Sequence, residues 1–99
     1  MERSRIIERV ESEADRVRSF GVDRLFLVGS YAKGEEDENS DVDFLVEFRE
    51  GRGFFEDYTG LKRLLEEVTG RKVDLIKKEL VRPELKESII KGVKVEAKV

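Results

Sequence analysis

The run Leu25-Phe26-Leu27-Val28, closed by Gly29-Ser30, constrains this chain more than any other segment. Large apolar residues in succession, aromatic and β-branched among them and ended by a turn pair, predict a strand over 24–28 that is buried on both faces. Such a strand needs cover on two sides, so the remaining residues must supply neighbouring strands and packing helices. A length of 99 residues gives material for one domain over 1–99 and for no second one. Enzymes with a separate acceptor-binding domain are thereby excluded, and a catalyst of this size needs its acceptor delivered by another molecule.

The apolar spacing predicts the elements around that strand. Ile6, Val10, Ala14 and Val17 recur with helical period and Gly21 follows as a stop, which implies one amphipathic helix over 3–20. Val42, Phe44, Val46 and Phe48 alternate with Asp43, Leu45 and Glu47, the pattern of a half-buried strand. After the turn Gly51-Arg52-Gly53, the stripe Phe54, Tyr58, Leu61, Leu65 and Val68 forms the core face of a second helix that Gly70 ends. Val73–Ile76 reads as a third strand, and Pro83–Lys91 as a short helix with Leu85 and Ile89 inward. Val93, Val95, Ala97 and Val99 alternate with charges as an edge strand. The order α-β-β-α-β-α-β implies an α+β fold, a small mixed β-sheet with helices packed on it.

Composition narrows the chemistry. With 23 acidic and 20 basic residues, a net charge of −3, nothing draws the whole chain to a polyanion, so no nucleic-acid template is expected. The absence of cysteine removes disulfides, thiolate zinc sites and thiol nucleophiles, and the absence of histidine removes the commonest general base. Catalysis must therefore run on carboxylates. The longest apolar run, Leu25–Val28, is far short of the roughly 18 residues that span a bilayer, and no signal region follows Met1-Glu2-Arg3-Ser4-Arg5. A cytoplasmic protein without membrane attachment is the expectation.

Carboxylates and a phosphate turn meet between residues 29 and 43. Gly29 permits close approach to the backbone, and a short helix through Lys33 aims free N–H groups, with the Ser30 hydroxyl, at a phosphate. Ser30 as a simple helix cap uses the same N–H-rich terminus. Asp41 and Asp43 stand two apart, so on a strand both point to one face with Cα atoms about 6.5–7 Å apart, near enough to grip one hard cation or a pair. Strands disfavour Asp, and neighbouring carboxylates repel unless a cation neutralises them. Asp74 interrupts the apolar strand Val73-Asp74-Leu75-Ile76 and shares that face if the strands are neighbours. Three carboxylates on one face suit two Mg²⁺ ions, one on a triphosphate and one on an attacking hydroxyl that Asp74 orients or deprotonates. An EF-hand fails, because Val42 stands where its loop needs glycine and Phe48 where it needs glutamate. The run Glu35–Glu38 reads as a solvated loop.

Gly29-Ser30, ten intervening residues and then Asp41-Val42-Asp43 resemble the signature of nucleotidyltransferases of the DNA polymerase beta superfamily. The short chain resembles the minimal nucleotidyltransferases, the antitoxin-type partners of HEPN-domain ribonuclease toxins. That resemblance implies a polymerase-beta-like fold and transfer of a nucleoside monophosphate, AMP from ATP, onto a tyrosine hydroxyl of the toxin. It implies Gly29 and Ser30 as the triphosphate-holding pair, Asp41 and Asp43 as metal ligands, and Asp74 as the third carboxylate. Lys33 takes a position where the family often has Arg, which keeps a charge for phosphate but loses the bidentate fork. Two other readings stand beside this one: an antitoxin that neutralises its partner by occlusion alone, and a transferase acting on a small molecule of the aminoglycoside type, for which a homo-oligomer would have to build the acceptor pocket.

Overall fold

The computed structural model describes residues 2–37, 39–81 and 92–99. Strands β1 (Val22–Val28), β2 (Val42–Phe48), β3 (Val73–Lys77) and β4 (Val95–Ala97) make one mixed sheet in the order β3-β2-β1-β4. β1 runs antiparallel to β2 and β4, whereas β2 and β3 are parallel. Helices α1 (Arg3–Ser12) and α2 (Ala14–Ser19) precede the sheet, and α3 (Gly29–Lys33) follows β1. Parallel neighbours need a crossover, and α4 (Phe55–Thr69) supplies it between β2 and β3. A 3₁₀ turn over Lys78–Leu80 leaves β3. This is the α+β mixed sheet with helices that the apolar pattern implies.

The main core lies between one sheet face and the helices. Leu25, Leu27, Phe44, Val46, Val73, Leu75 and Ala97 meet Ile6, Val10, Val17, Leu61 and Leu65 there. Each of these side chains apart from Ala97 contributes about 1.5–3 kcal/mol by leaving water. The opposite face carries a smaller cluster of Phe26, Val28 and Leu45, against which Ile76 and Val81 pack. β2 is therefore not the half-buried strand its alternation suggests, since Leu45 is only 2 % exposed. The strand sits between β1 and β3, whose Phe26, Val28 and Ile76 flank Leu45 on that face.

Other expectations shift by a few residues. The single helix over 3–20 is two, broken at Glu13 with φ −110° and ψ 26°. There the Ser12 hydroxyl donates back to the Arg9 carbonyl at 2.6 Å, and Glu13 N–H donates to Val10 only three residues earlier, so the regular ladder stops. Ile6, Val10 and Val17 are buried all the same. Phe54 is not in the core: it precedes α4 and is 72 % exposed, with Phe55 80 % exposed beside it. The Gly51–Gly53 turn explains this. The ring of Phe48 fills the space where a Gly53 side chain would stand, and Gly53 has a φ of +88° open to glycine. The chain then enters α4 with the Asp57 carboxylate reaching back to Gly53 N–H at 2.9 Å, so the inward positions of α4 begin only with Tyr58 and Leu61. The edge strand is confined to Val95–Ala97, with Val93 48 % exposed. The expected helix over Pro83–Lys91, and Glu38 of the acidic run, lie outside the described residues.

Candidate active site

The site is built where β1 gives way to α3. Val28 ends the strand in extended conformation, Gly29 turns with φ +73°, and Gly34 closes α3 in the left-handed conformation. Tyr31 and Ala32 anchor this short helix in the main core, which leaves its first turn at the sheet end. Arg3 Nη1 donates to the Ala32 carbonyl at 2.6 Å and so fixes the far end of α3 from the first helix. No side chain caps the start of α3, so Ser30 is half-buried within the first turn rather than serving as its cap.

The strand register brings the carboxylates to this turn. Val28 pairs with Asp43 across β1 and β2, and Asp43 pairs with Asp74 across β2 and β3. Gly29 is required here by contact as well as by φ. A Cβ at position 29 would lie 2.3 Å from Asp43 Oδ2, so the Asp43 carboxylate occupies the space that glycine leaves. Asp43 is half-buried, whereas Asp41, just before β2, and Asp74 are exposed. Burial pushes the Asp43 carboxyl above its ordinary pKa, and the charges of Asp74 and then Asp41 push it further the same way. Among the described residues no Lys or Arg forms an ion pair with any of the three.

A cavity of about 190 Å³ opens beside them, lined by Val28, Gly29, Lys33, Asp43, Ile76, Gly92 and Val93. It brings Gly29, Lys33 and Asp43 to one space, while Ser30, Asp41 and Asp74 stand outside its lining. Pockets that enclose a whole small ligand run to about 300–1,000 Å³, so this volume suits a phosphate group with the rest of the ligand outside. A larger groove of about 460 Å³ over Phe54, Phe55, Tyr58, Leu75, Ile76, Lys77 and Leu80 has no carboxylate among its described lining residues.

Among the described residues no three acidic side chains close round an ion by themselves. Oxygen ligands alone, repelling one another and partly desolvated, nonetheless match a hard divalent cation. Mg²⁺ is commonly held by one or two carboxylates plus substrate phosphates, for which an open set of this kind is suited. The approach to Asp41 is set by residues that the sequence reading missed. Asp37 Oδ1 accepts from Asn39 N–H at 2.8 Å, and Ser40 Oγ accepts from Asp37 N–H at 2.9 Å, a local turn that delivers the chain to β2. The Asp-x-Asn-Ser pattern is a signal for such a turn, whereas nothing local in the sequence marks Arg3.

Comparison with known proteins bears on the same region. The model of the nucleotidyltransferase domain family matches residues 4–95. MJ0435 of Methanocaldococcus jannaschii, named as a candidate protein adenylyltransferase, is 46 % identical over 70 residues, 71 % of this chain and 74 % of that protein. A solved structure described as a candidate minimal nucleotidyltransferase superposes with a TM-score of 0.79 at 33 % identity, covering 94 % of each chain. A complex of the MNT antitoxin with a tri-AMPylated HEPN toxin from Shewanella oneidensis shares the fold, with a TM-score of 0.63 at 16 % identity over 93 % of this chain and 71 % of that one.

Proposed function

Because the chain belongs to the nucleotidyltransferase domain family, we propose that it is an Mg²⁺-dependent protein adenylyltransferase that moves AMP from ATP onto a hydroxyl of a HEPN-type toxin and thereby silences it. The observation that carries this reading is Asp43, half-buried over Gly29 with Asp41 and Asp74 both raising its pKa. The adenylyltransferase name of the archaeal relative supports the donor and the protein acceptor, and the Shewanella complex supports the toxin. The reaction belongs to the cytoplasm, where ATP is made and used.

Each residue has a part in that reaction. Ser30 and the uncapped N–H groups of α3 bind the triphosphate, and Lys33 at the cavity wall pairs with it. Gly29 leaves the room that the Asp43 carboxylate takes at the start of α3. Asp41 and Asp43 would hold two Mg²⁺ ions, with Asp74 completing the set. When bound, the ions supply charge neutralisation at the triphosphate and a lowered pKa at the acceptor hydroxyl. Asp74 orients that hydroxyl and accepts its proton as the oxygen bonds to the α-phosphorus. The bond to the bridging oxygen breaks, and pyrophosphate leaves.

Incubation with ATP labelled at the α-phosphate, Mg²⁺ and a HEPN protein encoded beside this chain should label that protein. Asp41→Asn and Asp43→Asn should abolish the label, and equal labelling by the variants would refute the reading. Toxin neutralisation that survives Asp41→Asn without label would instead identify an antitoxin that acts by occlusion. Turnover of a small hydroxylated acceptor by the isolated chain would identify a small-molecule transferase.

A further inference from the structure

Asp74 stands on β3, an edge of the sheet in the strand order, and an edge strand has one row of backbone groups without a ladder. Val42 N–H donates to the Lys72 carbonyl at 3.0 Å, so residues 72 and 74 turn their backbone groups toward β2. Val73 and Leu75 therefore turn theirs outward. Two side chains of α4 take up those outward groups on either side of Asp74. Glu66 Oε2 accepts from Val73 N–H at 3.1 Å, and Tyr58 Oη donates to the Leu75 carbonyl at 2.6 Å. Both contacts are partly buried and tie residues seven and seventeen positions apart.

We infer that Tyr58 and Glu66 are positioning residues that hold the Asp74 carboxylate in register with Asp43. The need is physical. Asp43 and Asp74 are register partners across the parallel β2–β3 pair, and like charges placed side by side on one sheet face repel. An edge strand held from one side only would relax that repulsion by moving outward. The clamp from α4 opposes this, one bond before Asp74 and one after it. The arrangement also blunts the edge against pairing with another chain, since two of its outward groups are taken. Tyr58 adds a second tie, because its ring lies 5.8 Å from the Lys77 ammonium, further along the same strand.

The inference rests on the assignment of Asp74 to the site, and the test separates the two. It uses the whole chain with labelled ATP and the HEPN partner for transfer, and Mn²⁺ titration followed by electron paramagnetic resonance in the presence of a non-hydrolysable ATP analogue. Tyr58→Phe should lower kcat about tenfold with KM for ATP changed less than about twofold, and should weaken Mn²⁺ binding by a similar factor, as loss of a support behind a ligand does. Glu66→Ala should do the same, whereas Glu66→Gln, which retains an acceptor oxygen for Val73 N–H, should restore most of the loss. In an Asp74→Asn background the residual transfer should no longer respond to Tyr58→Phe. An unchanged kcat and Mn²⁺ affinity in Tyr58→Phe, or an undiminished effect of Tyr58→Phe on top of Asp74→Asn, would overturn the clamp while leaving the transferase reading intact. Wild-type transfer by Asp74→Asn itself would remove Asp74 from the site, and the clamp's catalytic role with it.

Discussion

The open face of the sheet has two charged ends that share strands and differ in one respect. Asp43 and Glu47 lie on the same face of β2, four residues apart. Beside Glu47 stands a cation, Lys78, with its ammonium 2.9 Å from Oε1, and on the flanking β1–β4 pair Arg24 meets Glu96 at 2.9 Å. Beside Asp43 stands Asp74, another carboxylate. Among the described residues one end is neutralised from within the chain and the other is not, although only the apolar pair of Phe26 and Leu45 lies between them. Self-repulsion kept at one end of an otherwise paired face is stability forgone, which the proposed function accounts for by a cation supplied from outside the chain.

Removing the charge that has no ion pair among the described residues is the most direct way to break the contrast. Asp43→Asn should lower AMP transfer at least about a hundredfold, the scale on which loss of one preorganised electrostatic partner is felt. In the metal-free protein the same variant should melt higher, because it relieves a half-buried, crowded charge. Mg²⁺ with an ATP analogue should raise the melting temperature of the wild type and leave the variant nearly unmoved. A variant that melts lower without metal would show that Asp43 has a stabilising partner and that the two ends are alike. Next in size, Gly29→Ala should cost about 1–3 kcal/mol in stability, from the +73° φ and the 2.3 Å collision with Asp43 Oδ2. Its transfer rate should fall about tenfold or more, since relief requires the carboxylate to move. Denaturant titration and single-turnover labelling measure the two losses.

Much of this contrast can be read in the residues themselves. Asp inside a strand is out of place, and Gly29-Ser30 at the right distance from Asp41 and Asp43 gives the anomaly a purpose. The strands and their succession along the chain follow from period-two spacing, which is strong when one face is buried, whereas the face shared by Asp43 and Asp74 needs β2 and β3 to be neighbours, which spacing does not give. Asp41 falls one residue before β2, a boundary that spacing alone does not define. The break at Glu13 leaves no mark in the spacing, because helix periodicity survives a one-residue irregularity and Val17 still reaches the core. Phe54 misled because its spacing from Tyr58 is helical, whereas a carboxylate three residues further on, Asp57, decides where α4 begins. The supports of the site, Arg3 on α3 and Tyr58 and Glu66 on β3, join residues far apart in the chain, and no local pattern encodes such pairs.

The paired end can be made to resemble the other. Lys78→Glu would set a carboxylate against Glu47, whose second oxygen is already buried without a hydrogen-bond partner among the described residues. The expected cost is about 1–2 kcal/mol, from a lost ion pair and an added repulsion at a partly exposed site. Transfer should remain within about twofold of the wild type, because Lys78 lies outside the cavity lining. Chemical denaturation at low and high salt checks both parts, and a large loss of transfer would extend the functional end further along the face.

The smallest effect separates two carboxylates by the direction in which pH moves stability. The Asp57 carboxyl is held down to about 2 from an ordinary 3.8, first by hydrogen bonds from Arg52 and then by Gly53 N–H. Its folded form thus loses the proton more readily than its unfolded form, so its contribution is fully present above 3.8 and disappears as pH falls toward 2. With 18 % of the Asp57 side chain exposed, solvent limits that contribution to about 1 kcal/mol. Asp43 behaves in the opposite sense in the metal-free protein, because its raised folded pKa penalises the charged form as pH climbs. Asp57→Asn should therefore differ from the wild type most at neutral pH, with the two stability curves meeting near pH 2. Asp43→Asn without metal should gain on the wild type as pH rises above the ordinary carboxylate range. Melting curves across acid pH measure both, and parallel trends for the two variants would mean that the carboxylate over Gly29 is compensated from within the chain as fully as the one at the α4 turn.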